Sequence, residues 1–278
     1  MKHLIRKYKK FLQLVGYYLV SKGTPDSPFS KTTANIETFH QLAKRAEQKI
    51  YPQVDKYERK IGLGIDSDWL TKLAFKTQIV IKNSELCYAH GRVLYSALRN
   101  YLLDKDISEK EGLTIIETGT ARGFSSVCMA KALSDSGSSG KILTFDLISN
   151  EKEMFWNSVD DLEGQKTRLE LLKPWGDLVE KFIIFVEGDT RETLKSCSVS
   201  RVNFAFLDGA HTYDDVMYEF LQIKDKQIKG DIIVYDDYSP DLFPGIVKAV
   251  DYICESYDYS REDLVSEDNR TYVVAIKN

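Results

Sequence analysis

The chain has 278 residues, of which 43% are hydrophobic and 12% aromatic, enough for one large domain or for one domain with an appendage. Its formal net charge of −4 argues against nucleic acid as the main partner, because phosphate binding normally needs a basic face. The cysteines lack the close spacing of a zinc site, so we expect reduced thiols in a cytoplasmic protein. They are Cys87, Cys128, Cys197 and Cys254.

The N-terminus combines a basic segment, residues 2–10, with an apolar segment, residues 11–20. No small-residue cleavage site follows Val20, which argues against a signal peptide. The apolar segment is also too short to span a bilayer. We therefore expect an amphipathic helix without stable membrane insertion, and a helix that packs on a partner or lies on a membrane surface is the alternative.

Apolar residues recur at helical spacing through the first 110 residues. A linker at 24–30, which contains two prolines, separates the first helix from the next. The spacing then predicts helices over 35–60, 69–75 and 84–103. The sequence therefore predicts a helical N-terminal region over residues 1–110.

Beyond residue 111, short β-branched runs alternate with helical segments, a pattern typical of a mostly parallel sheet with helices on both faces. The predicted strands cover 113–118, 142–145, 182–186, 202–207, 232–235 and 272–276. The clearest helices cover 189–194, 212–223 and 244–256. We predict an α/β domain with a doubly wound sheet over residues 111–278, to which the N-terminal region is a helical appendage.

Residues 148–180 are longer than one crossover helix requires, and they concentrate four large apolar side chains. These are Met154, Phe155, Trp156 and Trp175. Two interpretations are open: a lid over the substrate, or a helix and loop whose large side chains are buried in the core.

The stretch T-I-I-E-T-G-T-A-R-G-F-S-S, residues 114–126, begins as a β-branched run and breaks at Gly119 and Gly123 before a new apolar segment. This predicts a strand, a glycine turn and a helix. The glycines let a ligand approach the backbone, and the helix start offers unpaired N–H groups and a positive dipole end to an anionic group. We infer a site for a nucleotide-like cofactor, with a tight turn that binds nothing as the alternative.

The spacing of these glycines departs from the dinucleotide fingerprint G-x-G-x-x-G. Glu117 lies two positions before Gly119, and three residues separate Gly119 from Gly123. E-x-G-x-x-x-G resembles the first motif of class I S-adenosylmethionine-dependent methyltransferases.

Two further acids follow predicted strands. Asp146 lies 23 positions after Gly123, close to the separation of about 20 at which an acid reaches the ribose hydroxyls of a nucleotide. Asp189 follows the next strand, where it either borders the adenine or caps the following helix.

Acidic residues also follow the fourth and fifth predicted strands: Asp208, Asp236 and Asp237. Because the carboxyl ends of neighbouring parallel strands open onto one crevice, we expect these carboxylates to converge. Such crowding favours a bound cation, and oxygen ligands suit Mg²⁺, Mn²⁺ or Ca²⁺. The alternative is that one acid caps a helix and another faces water.

His211 lies three residues beyond Asp208. An imidazole there can take a proton from a substrate hydroxyl at neutral pH while a nearby cation lowers the pKa of that hydroxyl. A metal ligand and a structural histidine are the alternatives.

The ordered set of motifs resembles a class I methyltransferase family that contains many bacterial enzymes and is related to metal-dependent O-methyltransferases. The motifs are I-I-E-T-G-T-A-R-G-F-S-S, L-T-F-D, V-E-G-D-T, F-L-D-G-A-H-T-Y-D-D-V, G-D-I-I-V-Y-D-D-Y and P-G-I-V-K-A-V. The resemblance covers residues 112–278 and implies a Rossmann-like sheet with an antiparallel last strand.

The same resemblance assigns site residues. It implies that Asp146 binds the ribose and that five residues line the methionine part of the cofactor: Glu117, Gly119, Thr120, Gly123 and Ser125. The three later acids match positions where catechol-type and sugar O-methyltransferases hold Mg²⁺, but Asp237 departs from the asparagine of the catechol type. D-G-A-H is more similar to macrolide-sugar enzymes with a histidine there than to the catechol type, which uses a lysine base.

The resemblance implies an S-adenosylmethionine-dependent O-methyltransferase that acts on a hydroxyl of a small molecule or sugar, assisted by Mg²⁺ or another divalent cation. Two alternatives are a cephalosporin-hydroxylase-like relative with the same sheet and acid cluster, and a cofactor-binding scaffold without turnover. The N-terminal region would then cover the acceptor pocket, mediate a homodimer, or do both.

Overall fold

The computed structural model describes residues 29–103, 105, 112–266 and 270–278. The helix predicted within the first 20 residues lies outside these ranges. Within them, the longest apolar helical segments fall short of what is needed to cross a membrane.

A seven-stranded sheet forms the centre of the described chain. Its strands are β1 (Leu113–Thr118), β2 (Gly140–Asp146), β3 (Ile183–Glu187), β4 (Phe204–Leu207), β5 (Ile232–Tyr235), β6 (Tyr259–Val265) and β7 (Thr271–Lys277). They lie in the order β3-β2-β1-β4-β5-β7-β6. The first five are parallel, whereas β7 is antiparallel to both of its neighbours. The predicted fold class, a Rossmann-like doubly wound sheet with an antiparallel last strand, is confirmed.

The sequence pattern missed β6. This strand carries three consecutive charged residues, Arg261, Glu262 and Asp263, so it lacks the apolar run that marked the other strands. It lies at the edge of the sheet and pairs with β7 alone. Charged side chains on an edge strand discourage pairing with a second molecule.

Within residues 29–103, four helices precede the sheet: α1 (Ile36–Glu47), α2 (Pro52–Ile61), α3 (Ser67–Thr77) and α4 (Ala89–Leu103). The prediction of one helix over 35–60 is wrong, because the chain breaks at residues 48–51. Pro52 cannot continue a helix and disfavours helical backbone at the residue before it, so it begins α2 instead. Ile50, expected on the buried stripe, is 61% exposed.

Further helices alternate with the strands. The longer ones are α5 (Phe124–Asp135), α9 (Tyr213–Ile223) and α10 (Pro244–Ser256), and the shorter ones are α6 (Arg168–Leu171), α7 (Gly176–Phe182) and α8 (Thr190–Ser196). Thr212 caps α9 by accepting the N–H of Asp215 at 3.2 Å.

Two apolar cores cover the two faces of the sheet. One core joins the sheet to α5 and also contains side chains of α2, α3 and α4. The other joins the opposite face to α8, α9 and α10. Because the strands alternate their side chains between the faces, Ile115 lies in the first core and Ile116 in the second. Helices from the N-terminal region therefore help to build the central core.

Candidate functional site

The order of the strands reverses between β1 and β4, since β2 and β3 lie on one side of this point and β5 on the other. In open α/β sheets, ligands bind at the carboxyl ends of the strands beside such a switch point. The glycine turn (residues 119–123) follows β1 at this edge, and the two acid-rich segments follow β4 and β5.

The glycine turn touches the segment that follows β4. Gly119 has a φ of 86° and Gly123 a φ of 83°, the left-handed region that favours glycine. A Cβ atom on Gly119 would overlap the carbonyl oxygen of Asp208. The predicted cofactor turn and the predicted metal-binding segment are therefore in direct backbone contact.

Glu117 lies beneath the turn and is fully buried. Its Oε2 accepts a hydrogen bond from the hydroxyl of Ser126 in α5. Burial raises the pKa of Glu117 to about 7, and hydrogen bonds from nearby hydroxyls act in the opposite direction. The side chain ties β1 to α5, and a contact with the cofactor stays a prediction.

Thr120 and Ser125 flank the turn and are also buried, at 2% and 5% exposure. The hydroxyl oxygen of Thr120 lies 2.5 Å from that of Thr144 on β2. These two residues, Gly119 and Gly123 remain predicted cofactor ligands.

Asp146 ends β2 beside the turn. Its Oδ2 accepts the N–H of Ala121 at 2.6 Å, and its Oδ1 accepts the N–H of Ile148 at 2.9 Å. A guanidinium nitrogen of Arg168 lies 3.4 Å from Oδ2. Burial raises the pKa of Asp146, while the charge of Arg168 and the backbone N–H groups lower it. The predicted ribose ligand is thus already part of the hydrogen-bond network of the turn.

Sequence reasoning missed Arg168. Its side chain is fully buried, and Nε donates to the carbonyl of Ala121 at 2.9 Å. The sequence did not indicate a role for this arginine, because its partners Ala121 and Asp146 lie outside residues 148–180. Trp156 and Trp175 from the same segment are also buried, as the interpretation of a buried helix and loop predicts.

Asp189 lies apart from these residues, at the start of α8. Its carboxylate accepts the N–H of Arg191 at 3.0 Å, so it caps the helix, which is one of its two predicted roles. A contact with adenine stays a prediction.

The segments after β4 and β5 bring Asp208, His211 and Asp237 together, and we name these three the acid–histidine group. Their ligand atoms lie within 4.8 Å of one another. Nε2 of His211 is 3.3 Å from Oδ2 of Asp237 and 3.8 Å from Oδ1 of Asp208. Nη1 of Arg270 is 3.5 Å from the other oxygen of Asp237. One face of this group is therefore acidic and another is cationic.

Two features make the group suited to bind a ligand. Asp237 has a φ of 57°, and such strained backbone at a residue other than glycine clusters at functional sites. The side chain of His211 is 45% exposed, with its ring 4.6 Å from that of Phe243. The facing carboxylate of Asp208 raises the pKa of His211, and the charge of Asp237 contributes in the same direction.

Asp236 lies outside the acid–histidine group. It is 7% exposed, and its Oδ2 lies 3.9 Å from Nδ1 of His90 on α4. Among the described residues, the cluster that could hold a metal does not include its carboxylate. Burial and the negative charges of Asp237 and Asp208 raise the pKa of Asp236 well above its usual range. Its predicted role as a metal ligand stays a prediction.

His90 is a further residue that the sequence did not indicate. Burial, together with the charges of Arg270 and Lys82, lowers its pKa to about 3. Its ring lies edge-on to Phe124 at 4.8 Å. The N-terminal region thus supplies a neutral histidine to the buried side of the site.

A hydrogen-bonded chain holds the backbone of Asp208. The hydroxyl of Thr118 accepts the N–H of Asp208 at 3.1 Å and donates to Oε2 of Glu219 at 2.8 Å. Glu219 is 2% exposed, and a Cβ on Gly209 would lie 2.5 Å from its Oε1. Burial raises the pKa of Glu219 to about 8. The sequence analysis did not single out Glu219. It could have been found from its position three residues after Val216, which places an acid on the apolar stripe of the predicted helix.

Comparison with known proteins agrees with this arrangement. Residues 116–238 match a family described as a methyltransferase domain, and this stretch runs from β1 to the acids after β5. The protein carries a methyltransferase domain. No curated protein matches the methyltransferase chain.

Solved structures show the same fold. The cofactor-bound Rv0187 protein from MTB has a TM-score of 0.51 at 15% identity, covering 83% of this methyltransferase and 100% of that chain. The O-methyltransferase from Bacillus cereus in complex with SAH has a TM-score of 0.50 at 14% identity, covering 87% of this chain and 100% of that one. At these identities the likeness concerns the fold alone.

The residues of the methyltransferase fit S-adenosylmethionine at two points. The first turn of α5 has neither a side-chain cap nor an acidic residue, so its N–H groups can face the carboxylate of the cofactor. The carboxylate of Asp146, 12% exposed, stands at the end of the neighbouring strand, where a ribose is expected.

Proposed function

We propose that the protein is an S-adenosylmethionine-dependent O-methyltransferase that acts on a hydroxyl of a small molecule or sugar with the help of a divalent cation. One observation carries the proposal: the acid–histidine group abuts the glycine turn through the contact between Gly119 and Asp208. A donor and an acceptor bound to these two parts would therefore be neighbours, as direct transfer requires.

The chain would divide the chemistry among three side chains. S-Adenosylmethionine, when bound, supplies a methyl group whose bond to sulfur breaks as the acceptor oxygen attacks. Asp208 and Asp237 would offer hard carboxylate oxygens to Mg²⁺ or a similar ion. His211, which is exposed toward the crevice, would take the proton that the acceptor hydroxyl loses. To accept a proton, His211 must be neutral. The negative charges of Asp208 and Asp237 raise its pKa, and a bound cation would offset these charges and so favour the neutral imidazole.

Other parts of the chain would support this site. We assign residues 111–278 to the methyltransferase domain and residues 1–110 to a region that covers the acceptor pocket, because His90 from α4 reaches Asp236. Asp236 would hold Asp237 in place, since its Oδ1 accepts the N–H of Asp237 at 2.6 Å. A homodimer and a cytoplasmic location stay predictions.

Transfer of a labelled methyl group from S-adenosylmethionine to a panel of sugars and phenols tests the proposal. We expect EDTA to abolish turnover and Mg²⁺ to restore it. Asp237→Ala should lower the rate by about 100-fold or more, because it removes a ligand of the cation. Cofactor affinity, measured by calorimetry, should stay unchanged in this variant.

Asp225→Ala is the matched control, since Asp225 is 82% exposed and pairs only with Lys224 among the described residues. Turnover that survives both EDTA and Asp237→Ala would leave the carboxylates a structural role. Protein that fails to bind S-adenosylmethionine at high micromolar concentration would contradict the assignment of the donor site.

A further inference from the structure

A groove of about 870 Å³ lies between α1, α3 and the two residues that precede α7. Four rings line it, those of His40, Trp69, Phe75 and Trp175. The ring of His40 stacks on that of Phe75 with 5.2 Å between the centroids, and Trp69 meets Trp175 edge-on at 6.5 Å. Small-molecule sites commonly have volumes of about 300 to 1,000 Å³ and are lined mainly by apolar and aromatic side chains. The groove has the size and the lining of such a site.

The rings are open to the groove on one side. Trp69 and Phe75 are half-buried, so each packs against the protein with one part and leaves another part accessible. Aromatic side chains offer a large apolar contact area, and they pair with other rings in offset or edge-on arrangements. A ligand that carries a ring is therefore the kind that these walls suit.

The charged side chains along the groove are mostly positive. Lys44 on α1 and both Lys72 and Lys76 on α3 line it, together with one acid, Glu47. Nζ of Lys76 binds the carboxylate of Asp160 at 2.9 Å. Lys44 and Lys72 are exposed and form no hydrogen bond or ion pair with the residues that the structure describes. Two cations on neighbouring helices are thus available to an anion beside the aromatic walls.

The same charges argue against two larger occupants. A two-fold dimer formed through the groove would bring the lysines of both copies together, because such an interface uses the same surface twice. Residues 2–10 of the chain are basic, so the lysines of the groove would also repel this segment. A small anion meets neither objection.

We propose that the groove binds a small organic anion that carries an aromatic ring. The ring would lie against Trp69 and Phe75, and the anionic group would pair with Lys44 or Lys72. None of the groove residues belongs to the glycine turn, on the donor side of the crevice, or to the acid–histidine group, on the acceptor side. The groove is therefore a second site, and the inference goes beyond the proposed function.

Fluorescence titration of the whole protein with 8-anilinonaphthalene-1-sulfonate tests the inference, because this probe combines aromatic rings with an anionic group. We expect one molecule of the probe to bind per chain, with or without saturating S-adenosylhomocysteine. N-Phenyl-1-naphthylamine, which has the rings but no charge, should bind at least about threefold more weakly, because it forms no ion pair. Methanesulfonate, which has the charge but no ring, should fail to displace the probe.

Substitution of the two lysines tests where the probe binds. The double variant Lys44→Met/Lys72→Met should weaken the affinity for the sulfonate probe about tenfold, which corresponds to two partly exposed ion pairs. It should leave the affinity for N-phenyl-1-naphthylamine unchanged. The matched control is Lys195→Met/Lys229→Met, since both of these lysines are exposed and lie outside the groove. This control should bind both probes as the wild-type protein does.

Five results would each overturn the inference. They are a lack of sulfonate binding to the wild-type protein, displacement of the sulfonate probe by S-adenosylhomocysteine, equal affinity for the neutral probe, displacement by methanesulfonate, and equal affinities of the two double variants. Displacement by S-adenosylhomocysteine would show that the probe occupies the donor side of the crevice instead. Methyl transfer is not a readout in any arm, so the proposed function and this inference fail or hold separately.

Discussion

The donor and acceptor sides of the crevice differ in how their charged groups are satisfied. On the donor side, Glu117 is fully buried and bonded to Ser126, and Asp146 accepts two backbone N–H groups and faces Arg168. Three of these four carboxylate oxygens accept hydrogen bonds from the protein, and only Oε1 of Glu117 is buried without a partner among the described residues.

On the acceptor side, two carboxylates face one imidazole, and Asp237 has strained backbone. The charged groups here meet through side-chain contacts of 3.3 to 3.8 Å instead of backbone hydrogen bonds. Clusters of titratable side chains of this kind are typical of functional sites. The difference suggests that the donor side is preformed and that the acceptor side sets specificity.

The two sides meet where Gly119 contacts the carbonyl of Asp208, and we expect a substitution there to have the largest effect. Gly119→Ala should destabilise the protein by about 3 kcal/mol or more and abolish cofactor binding, because the new Cβ overlaps the carbonyl of Asp208 and also strains a positive φ. Urea unfolding and calorimetry with S-adenosylmethionine measure the two effects.

Gly137→Ala separates the two causes of that loss. Gly137 has a φ of 61°, but an added Cβ meets no atom within 4 Å. We expect this control to cost about 1 kcal/mol from backbone strain alone and to leave affinity unchanged. Equal losses in the two variants would show that the contact between the sides contributes nothing.

The sequence predicted the donor side better than the acceptor side, for a physical reason. A buried parallel strand followed by a glycine turn is written in consecutive residues, and β1 has the predicted bounds. The acceptor side is assembled from distant segments, so nothing local indicated that His90 would approach Asp236. Spacing predicted that Asp208, Asp236 and Asp237 would converge, but the described cluster that could hold a metal includes only Asp208 and Asp237 of these three.

A substitution of Asp146 tests whether this residue of the donor side binds the ribose of the cofactor. Asp146→Ala should weaken the binding of S-adenosylmethionine by about tenfold or more, because the ribose loses an acceptor. It should also cost about 3 kcal/mol of stability, because Arg168 is left buried with one fewer anionic partner. Calorimetry and urea unfolding report these quantities separately.

Asp189→Ala is the companion variant. If Asp189 serves only as the cap of α8, stability falls by about 1 kcal/mol and cofactor affinity is unchanged. A loss of affinity in this variant would support its contact with adenine instead. Unchanged affinity in the Asp146 variant would contradict the ribose assignment.

The hydrogen-bonded chain from Glu219 through Thr118 to Asp208 makes the stability of the protein depend on pH. Burial raises the pKa of Glu219 from its ordinary value of 4.5 to about 8 in the folded protein, so folding favours its protonated form. Its stabilising contribution is therefore full below pH 4.5 and is lost as the pH rises through about 8. We expect the free energy of unfolding of the wild-type protein to fall by about 1 to 3 kcal/mol between pH 5 and pH 8. Glutamine cannot ionise, so the Glu219→Gln variant should not show this loss.

Urea unfolding at pH 5 and pH 8 checks this expectation. Glu117, with its pKa also raised to about 7, titrates in the same direction in both proteins, so the difference between them isolates Glu219. Glu255→Gln, at an exposed position on α10, controls for the loss of a surface charge. If wild type and Glu219→Gln lose stability in parallel, Glu219 is already ionised in the folded protein. Thr118, which holds the backbone of Asp208, would then donate its hydrogen bond to a charged carboxylate on α9. The acceptor side would in that case carry one more negative charge than the raised pKa of Glu219 indicates.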